Sequence, residues 1–221
     1  MPSFAKIRMA AERRLGAEVL AARLPAVKSP TQLEREGDDR YLSLMALRIF
    51  RAGLKHEMVD AKWPAFEEAF HGFAPRRVRA MSDEEVERLM QDRRLIRHLG
   101  KLKAVHANAA AMCAISEAQG SFGAWLAPWP SSDITGLWDE LAKRFTQFGG
   151  NSGAYFLRMA GKDTFILTPF VVKALNHWGG FSGEPKGKAD RTAVQQVFNA
   201  WAAETGLALA HLSMTLAASV G

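Results

Sequence analysis

An all-α fold is predicted by three features of this sequence. Apolar residues recur at helical spacing through most of its length, helix-start signatures stand ahead of several of those runs, and neither a convincing set of strands nor an internal repeat interrupts them. With 221 residues, 48% of them hydrophobic, the chain can bury a sizeable core as one domain or as two closely packed lobes.

Taken in order, residues 1–24 are basic and amphipathic, but Arg8, Glu12, Arg13, Arg14 and Glu18 interrupt them. No spanning-length apolar run and no signal-peptide core is present. Residues 41–54 are apolar on nearly every face, which predicts a buried helix. Trp63, Phe66 and Phe70 predict a short helix over 63–70, broken by Phe73-Ala74-Pro75. In SDEEVERLMQD (82–92), Ser82 followed by Glu85 three residues on is a capping box. An alanine-rich helix over 101–118 ends at Gln119-Gly120.

A proline-rich connector then leads into a helix reaching about residue 145, and a Gly-Gly turn separates it from another over 151–159. Thr168-Pro169 opens the next helix, since proline suits the first turn. GGFSGEPKGKADR (179–191) reads as a flexible linker, followed by helices over 192–204 and 207–219. The expected organisation is an N-terminal helical extension (1–40), a core (41–180), a linker (181–191) and C-terminal helices packing on the core (192–221).

Charge and cysteine usage narrow the function. Lys and Arg exceed Asp and Glu by 29 to 23, with a sequence pI near 9.7, a balance that suits a polyanionic partner or simply a basic soluble protein. The single Cys113 excludes an intramolecular disulfide and a cysteine-rich zinc site, and suits a reducing cytoplasm.

QFGGNSGAYFLRMAG (147–161) carries the most specific local signal. A helix over 137–145, the Gly149-Gly150 turn and the following helix make a helix–hairpin–helix. Backbone N–H groups of such a turn and the positive end of its second helix suit a phosphate oxygen, because glycines hold no Cβ in the way. Asn151 or Ser152 can cap the helix or donate to that phosphate. An ordinary capped turn is the other reading of the same residues.

FEEAFHGFAPRRVRAMSDEEVERLMQDRRLIRHLGKLKAVHANAAAM (66–112) resembles the central region of the 3-methyladenine DNA glycosylase I family. Val86, Leu89, Asp92, Leu95, Ile96, Arg97, His98, Lys101, Leu102, Ala104, Asn108 and Ala109 match its V-x-x-L-x-x-D-x-x-I-I-R-H/N-x-x-K-I-x-A-x-x-x-N-A pattern. RAGL (51–54) resembles the family's QAGL, and 144–161 lies where the family has its phosphate-binding hairpin. The likeness spans about half the chain, roughly 41–161.

This resemblance implies two helical lobes with DNA across a cleft, extrusion of a damaged nucleotide and cleavage of its N-glycosidic bond in a pocket. Expected partners are double-stranded DNA with damaged bases and no membrane. The expected protein is a monomer without cofactor, cytoplasmic and associated with the bacterial nucleoid. A diverged glycosylase and a non-catalytic DNA- or damage-binding module on the same fold are both open.

Departures from the family fall where its chemistry should be. Aligning LRIFRAGLKH (47–56) with the family's L-E-G-x-Q-A-G-L-S-W places Arg48 at the base-contacting carboxylate and His56 at the stacking tryptophan. Arg48 therefore either contacts a base or DNA, or reaches solvent or pairs with Glu57 or Asp60. His56 either stacks on a base or is a surface residue. The family's Y-H-D-x-E-W-G block is missing from residues 1–40. Its zinc site needs two cysteines and two histidines, so no metal is expected here.

In the wider superfamily a catalytic Asp follows the hairpin helix. Thr168 stands at that position, and Asp163, five residues earlier, is the candidate catalytic carboxylate or else a cap. Trp125 and Trp129 could line the cleft, whereas His98 and Lys101 read as structural.

Overall fold

The computed structural model describes residues 3–220, which leaves the first two residues of the expected extension and the last C-terminal residue outside it. Among the described residues there are fourteen α-helices and no strand. The chain begins with Phe4–Leu15 (α1), Ala17–Ala22 (α2), Pro30–Arg35 (α3), Asp38–Arg51 (α4) and His56–Ala69 (α5). It continues through Pro75–Arg79 (α6), Asp83–Arg88 (α7), Leu99–Gln119 (α8), Phe122–Leu126 (α9) and Ile134–Arg144 (α10). Ser152–Ala160 (α11), Pro169–His177 (α12), Lys188–Thr205 (α13) and Leu209–Ala218 (α14) complete it.

Local chemistry starts and stops these helices. Ser82 accepts from the N–H of Glu85 at 3.2 Å and Glu85 accepts from the N–H of Ser82 at 2.7 Å, so the capping box read from sequence forms. Ser29 and Gln32 build a second one at α3. Thr168 accepts from the N–H of Val171 and sets Pro169 in the first turn of α12. Gly120 ends α8.

Two helices start at least one full turn earlier than their periodicity suggested. α5 begins at His56 and runs through Pro64, because its first two turns are mostly polar and exposed, with Val59 alone buried there. α13 begins at Lys188, which takes residues 188–191 out of the expected linker.

Two compact units emerge from the packing: residues 1–28, 129–138 and 161–221 form one, and 29–128 with 139–160 form the other. The division falls inside α10 and cuts across the organisation expected from sequence. The first part of the expected extension joins the C-terminal helices, and residues 29–40 join the central ones. Sequence proximity is a poor guide here, because burial of an amphipathic face decides which helices pack together.

In the first unit, Phe4, Ile7 and Ala11 bury one face of α1. Phe4 meets Trp201, and Phe165 stacks on Phe198 at 4.2 Å. Lys162 is buried, its ammonium donating to the Trp129 carbonyl at 2.6 Å. Burial holds that ammonium below the usual lysine range.

In the second unit an aromatic file runs from Phe50 through Phe66 and Phe70 to Phe73, with Trp63 stacked on Phe66 and Phe73. The Tyr41 hydroxyl donates to the Leu33 carbonyl at 2.6 Å. α9 approaches α3 so closely that a Cβ on Gly123 would stand 2.6 Å from the Leu33 oxygen, so only glycine fits there.

Candidate nucleic-acid interface and base site

The hairpin between α10 and α11 lies in the second unit and is fixed from beneath. Phe145 and Phe148 are buried and pack together, and Phe148 also meets Phe156 of α11. Asn108, buried on α8, donates to the Thr146 carbonyl at 3.2 Å and accepts from the Thr146 N–H at 2.7 Å. Gln147 donates to the Gly100 carbonyl at 3.0 Å. Residues 146 and 147 are thus tied to one long helix, and the turn that follows is held up from it.

Gly149 and Gly150 are exposed, and Asn151 and Ser152 half-buried. Gly150 has φ +58° with open space around it, so glycine is there for its backbone conformation and not to avoid a neighbour. The Ser152 N–H bonds back to the Gly149 carbonyl. This arrangement offers a backbone approach to an anion at the start of α11.

Arg48 lies in the last two turns of α4, half-buried. Its guanidinium carbon stands 4.6 Å above the Tyr155 ring of α11. Its Nε is buried and finds no hydrogen-bond acceptor among the described residues. Neither Asp60 nor Glu57 partners it, since Asp60 takes Arg51 in a two-toothed pair at 2.7–2.9 Å. Burial lowers the Arg48 pKa from the usual arginine value; Tyr155 opposes that and Arg51 adds to it. An arginine so perturbed is still charged at neutral pH.

Lys101 completes the cluster. Its ammonium donates to the Ala52 and Phe50 carbonyls at 2.8 and 3.4 Å, closing the C-terminal end of α4. Burial, then the charge of Arg48, pull its pKa down.

The remaining candidates take up other roles. His56 is exposed at the first position of α5, on a different helix from Arg48 and after the intervening turn. His98 caps α8, its Nδ1 accepting from the Lys101 N–H. Trp125 packs on Phe122 and under the Arg144 guanidinium, lining an open groove of about 300 Å³ with Ala111, Ala114 and Ala118. The Trp129 indole donates to the Asp133 carbonyl.

The Asp163 carboxylate faces the start of a helix. Its two carboxylate oxygens accept from the N–H groups of Leu209 and Ala210, at 3.1 and 2.9 Å, at the start of α14. It is engaged as a cap contributed from outside the helix, which is the role that two orphan amides at a helix start demand. Among the described residues, no three His, Cys, Asp or Glu side chains gather as a metal set, and no helix is long and apolar enough to cross a membrane.

Two parts of the site escaped the sequence. Tyr155 sits in an apolar run with no local mark of function, and its partner Arg48 is remote in the chain. Asn108 matched a family pattern, but its hold on Thr146 is a tertiary fact.

The chain is all-helical, and its glycine hairpin is braced on one long helix. The sequence profile of the methyladenine glycosylase family matches residues 32–147, and the chain belongs to that family. It is similar to DNA-3-methyladenine glycosylase 1 of Escherichia coli (strain K12), 42% identical over 77 residues, which is 34% of this chain and 41% of that protein. The chain thus matches about two fifths of that relative's length.

A crystal structure of 3-methyladenine DNA glycosylase I superposes with a TM-score of 0.50 at 28% identity, over 64% of this chain and 85% of its own. The 8-oxoguanine glycosylase/lyase of Methanocaldococcus jannaschii, solved with DNA containing 8-oxoguanine, shares the fold across 96% of this chain and 93% of its own. Its TM-score is 0.51 and its identity 13%.

Proposed function

We propose that this protein is a DNA glycosylase that releases a modified base from double-stranded DNA. The hairpin at Gly149, Gly150, Asn151 and Ser152 receives a backbone phosphate. Arg48, lying over the Tyr155 ring, meets the extruded base, with His56 at the exposed start of α5 as a further contact. Water attacks C1′: its oxygen bonds to that carbon, the N-glycosidic bond breaks, and the base leaves with the bonding pair, the proton that the water gives up passing through solvent to the departing base. The protein's part is to extrude, hold and orient the base, converting an encounter with water into a positioned reaction.

The observation that carries this reading is the brace. Asn108 and Gly100 lie inside the family-matched segment and hold Thr146 and Gln147, immediately ahead of the exposed glycine turn. A second reading, a damage-binding module without hydrolysis, draws support from Asp163, whose carboxylate is committed to α14.

Base release from alkylated and oxidised duplexes, measured beside binding to abasic-site DNA, separates the two. Release is expected, and tight abasic binding without release would establish the module. Gly150→Asp places a negative charge where the phosphate comes and a Cβ at positive φ. It should weaken binding to every duplex by about tenfold or more while the protein stays folded. Unchanged affinity in a folded variant would remove the hairpin from the interface.

A further inference from the structure

Residues 3–28 lie ahead of the family-matched segment, which begins at residue 32, and belong to the first unit. They are built firmly into it. The Phe4 N–H donates to the Glu204 carboxylate at 2.9 Å, and Phe4, Ile7 and Ala11 are buried where α1 packs on α13 and α14. At the other end the Lys28 N–H donates to the Gly161 carbonyl at 2.8 Å.

Positive charge is concentrated on the same stretch. Lys and Arg outnumber Glu by six to two over residues 1–28, with no Asp, so four of the chain's six net positive charges lie there. Lys6, Met9 and Arg13 are exposed and share the face of α1 opposite its buried residues. Among the described residues Lys6 and Arg14 make no ion pair. Arg13 donates to the Met9 carbonyl of its own helix, and Glu12, the one acid of α1, is taken by Arg8. Arg13 and Arg14 in the last turn complement the helix dipole, but Lys6 stands in the first turn, at the positive end, with no acid beside it. A cation set against the dipole and left unpaired does nothing to hold α1 together.

We infer that the outer face of α1 binds the phosphate backbone of duplex DNA, Lys6 and Arg13 each taking a phosphate, in addition to the contact proposed at the glycine turn. This inference rests on the proposed reading of duplex DNA as the partner. Lys6 and Arg13 are seven residues apart, about 10 Å along the helix axis. Duplex DNA presents a charge about every 1.7 Å of its own axis, so two long side chains at that spacing both find a phosphate. A lipid surface would need an apolar stripe to insert, and a protein partner an apolar anchor at the centre of the contact. α1 has spent its stripe on the core, and Met9 is the one large apolar side chain it leaves exposed. The contact carries no base information, so it strengthens binding to every duplex and keeps the protein on DNA between damaged sites.

The test uses the full chain, as wild type and as the double variant Lys6→Gln with Arg13→Gln. Binding to an undamaged duplex is titrated over a range of salt concentrations, beside single-turnover base release from a methylated duplex. The double variant should bind the undamaged duplex about tenfold more weakly at low salt, and its slope of log affinity against log salt should fall by about two. Release at saturating protein should stay within about twofold, because phosphate contacts position the protein without touching the base. Lys6→Arg with Arg13→Lys, which keeps both charges, should bind as wild type does.

Unchanged affinity and slope in a folded double variant, with release intact, overturn the inference and leave the glycosylase reading standing. Weakening confined to the methylated duplex assigns the two residues to base recognition and overturns it as well. Loss of binding to phosphatidylserine vesicles with duplex binding intact assigns the face to a lipid surface, with the same result. A lowered slope with no base released by any protein upholds the inference and removes the glycosylase reading. A wild type that binds no duplex removes both. If the double variant fails to fold, the single variants decide, each expected to lower the slope by about one.

Discussion

The hairpin turn and the Arg48 site share α11, with the turn ahead of Ser152 and Tyr155 one turn inside, yet they treat polar groups in opposite ways. At the hairpin each anchoring group has its partner: Asn108 spends donor and acceptor on Thr146, and Gln147 bonds Gly100. At Arg48 a buried donor is left over, while Arg51, one turn on, takes the Asp60 carboxylate. The first pattern is what holding a backbone in place requires. The second costs stability and is expected where a ligand completes the bonding.

The strongest way to break this contrast is Asn108→Leu. It keeps the volume of a buried side chain but strips both bonds from Thr146, so stability should fall by about 2 kcal/mol, and DNA affinity should fall with it as the turn loosens. Thermal unfolding with a duplex-binding titration checks both. An unchanged melting temperature would mean the brace is decorative.

Asp163→Ala sharpens the distinction in the other unit. Removing the carboxylate from the two amides at the start of α14 should cost about 1 kcal/mol of stability and leave the base-release rate within about twofold, whereas loss of a general base would cost about a hundredfold or more. Single-turnover kinetics beside a denaturant titration settle which role it has.

The smallest effect compares two arginines on one helix. Arg51→Gln breaks an ion pair whose carboxylate is well exposed and should cost about 0.5 kcal/mol. Arg48→Gln removes a buried unbonded Nε and should leave stability level or slightly raised. Greater destabilisation at Arg48 than at Arg51 would show that its contact with the Tyr155 ring serves the fold.

By itself the sequence determined the all-α class, the capping boxes, the hairpin's position and the stretch that carries the family likeness, because caps, glycine turns and 3.6-residue periodicity act over a few neighbouring residues. It also drew attention to Arg48, while leaving its partner open between solvent, Glu57, Asp60 and a ligand. The early start of α5 was hidden by polar, exposed first turns, where little apolar periodicity exists to be read. Only tertiary structure decided that Asp60 goes to Arg51, that Tyr155 covers Arg48, that Asp163 serves α14, and that the two chain ends share a unit. Each of those is a contact between residues distant in sequence. Such contacts are chosen by which faces are buried together and which charges remain unpaired once they are, and a local pattern carries no record of that choice.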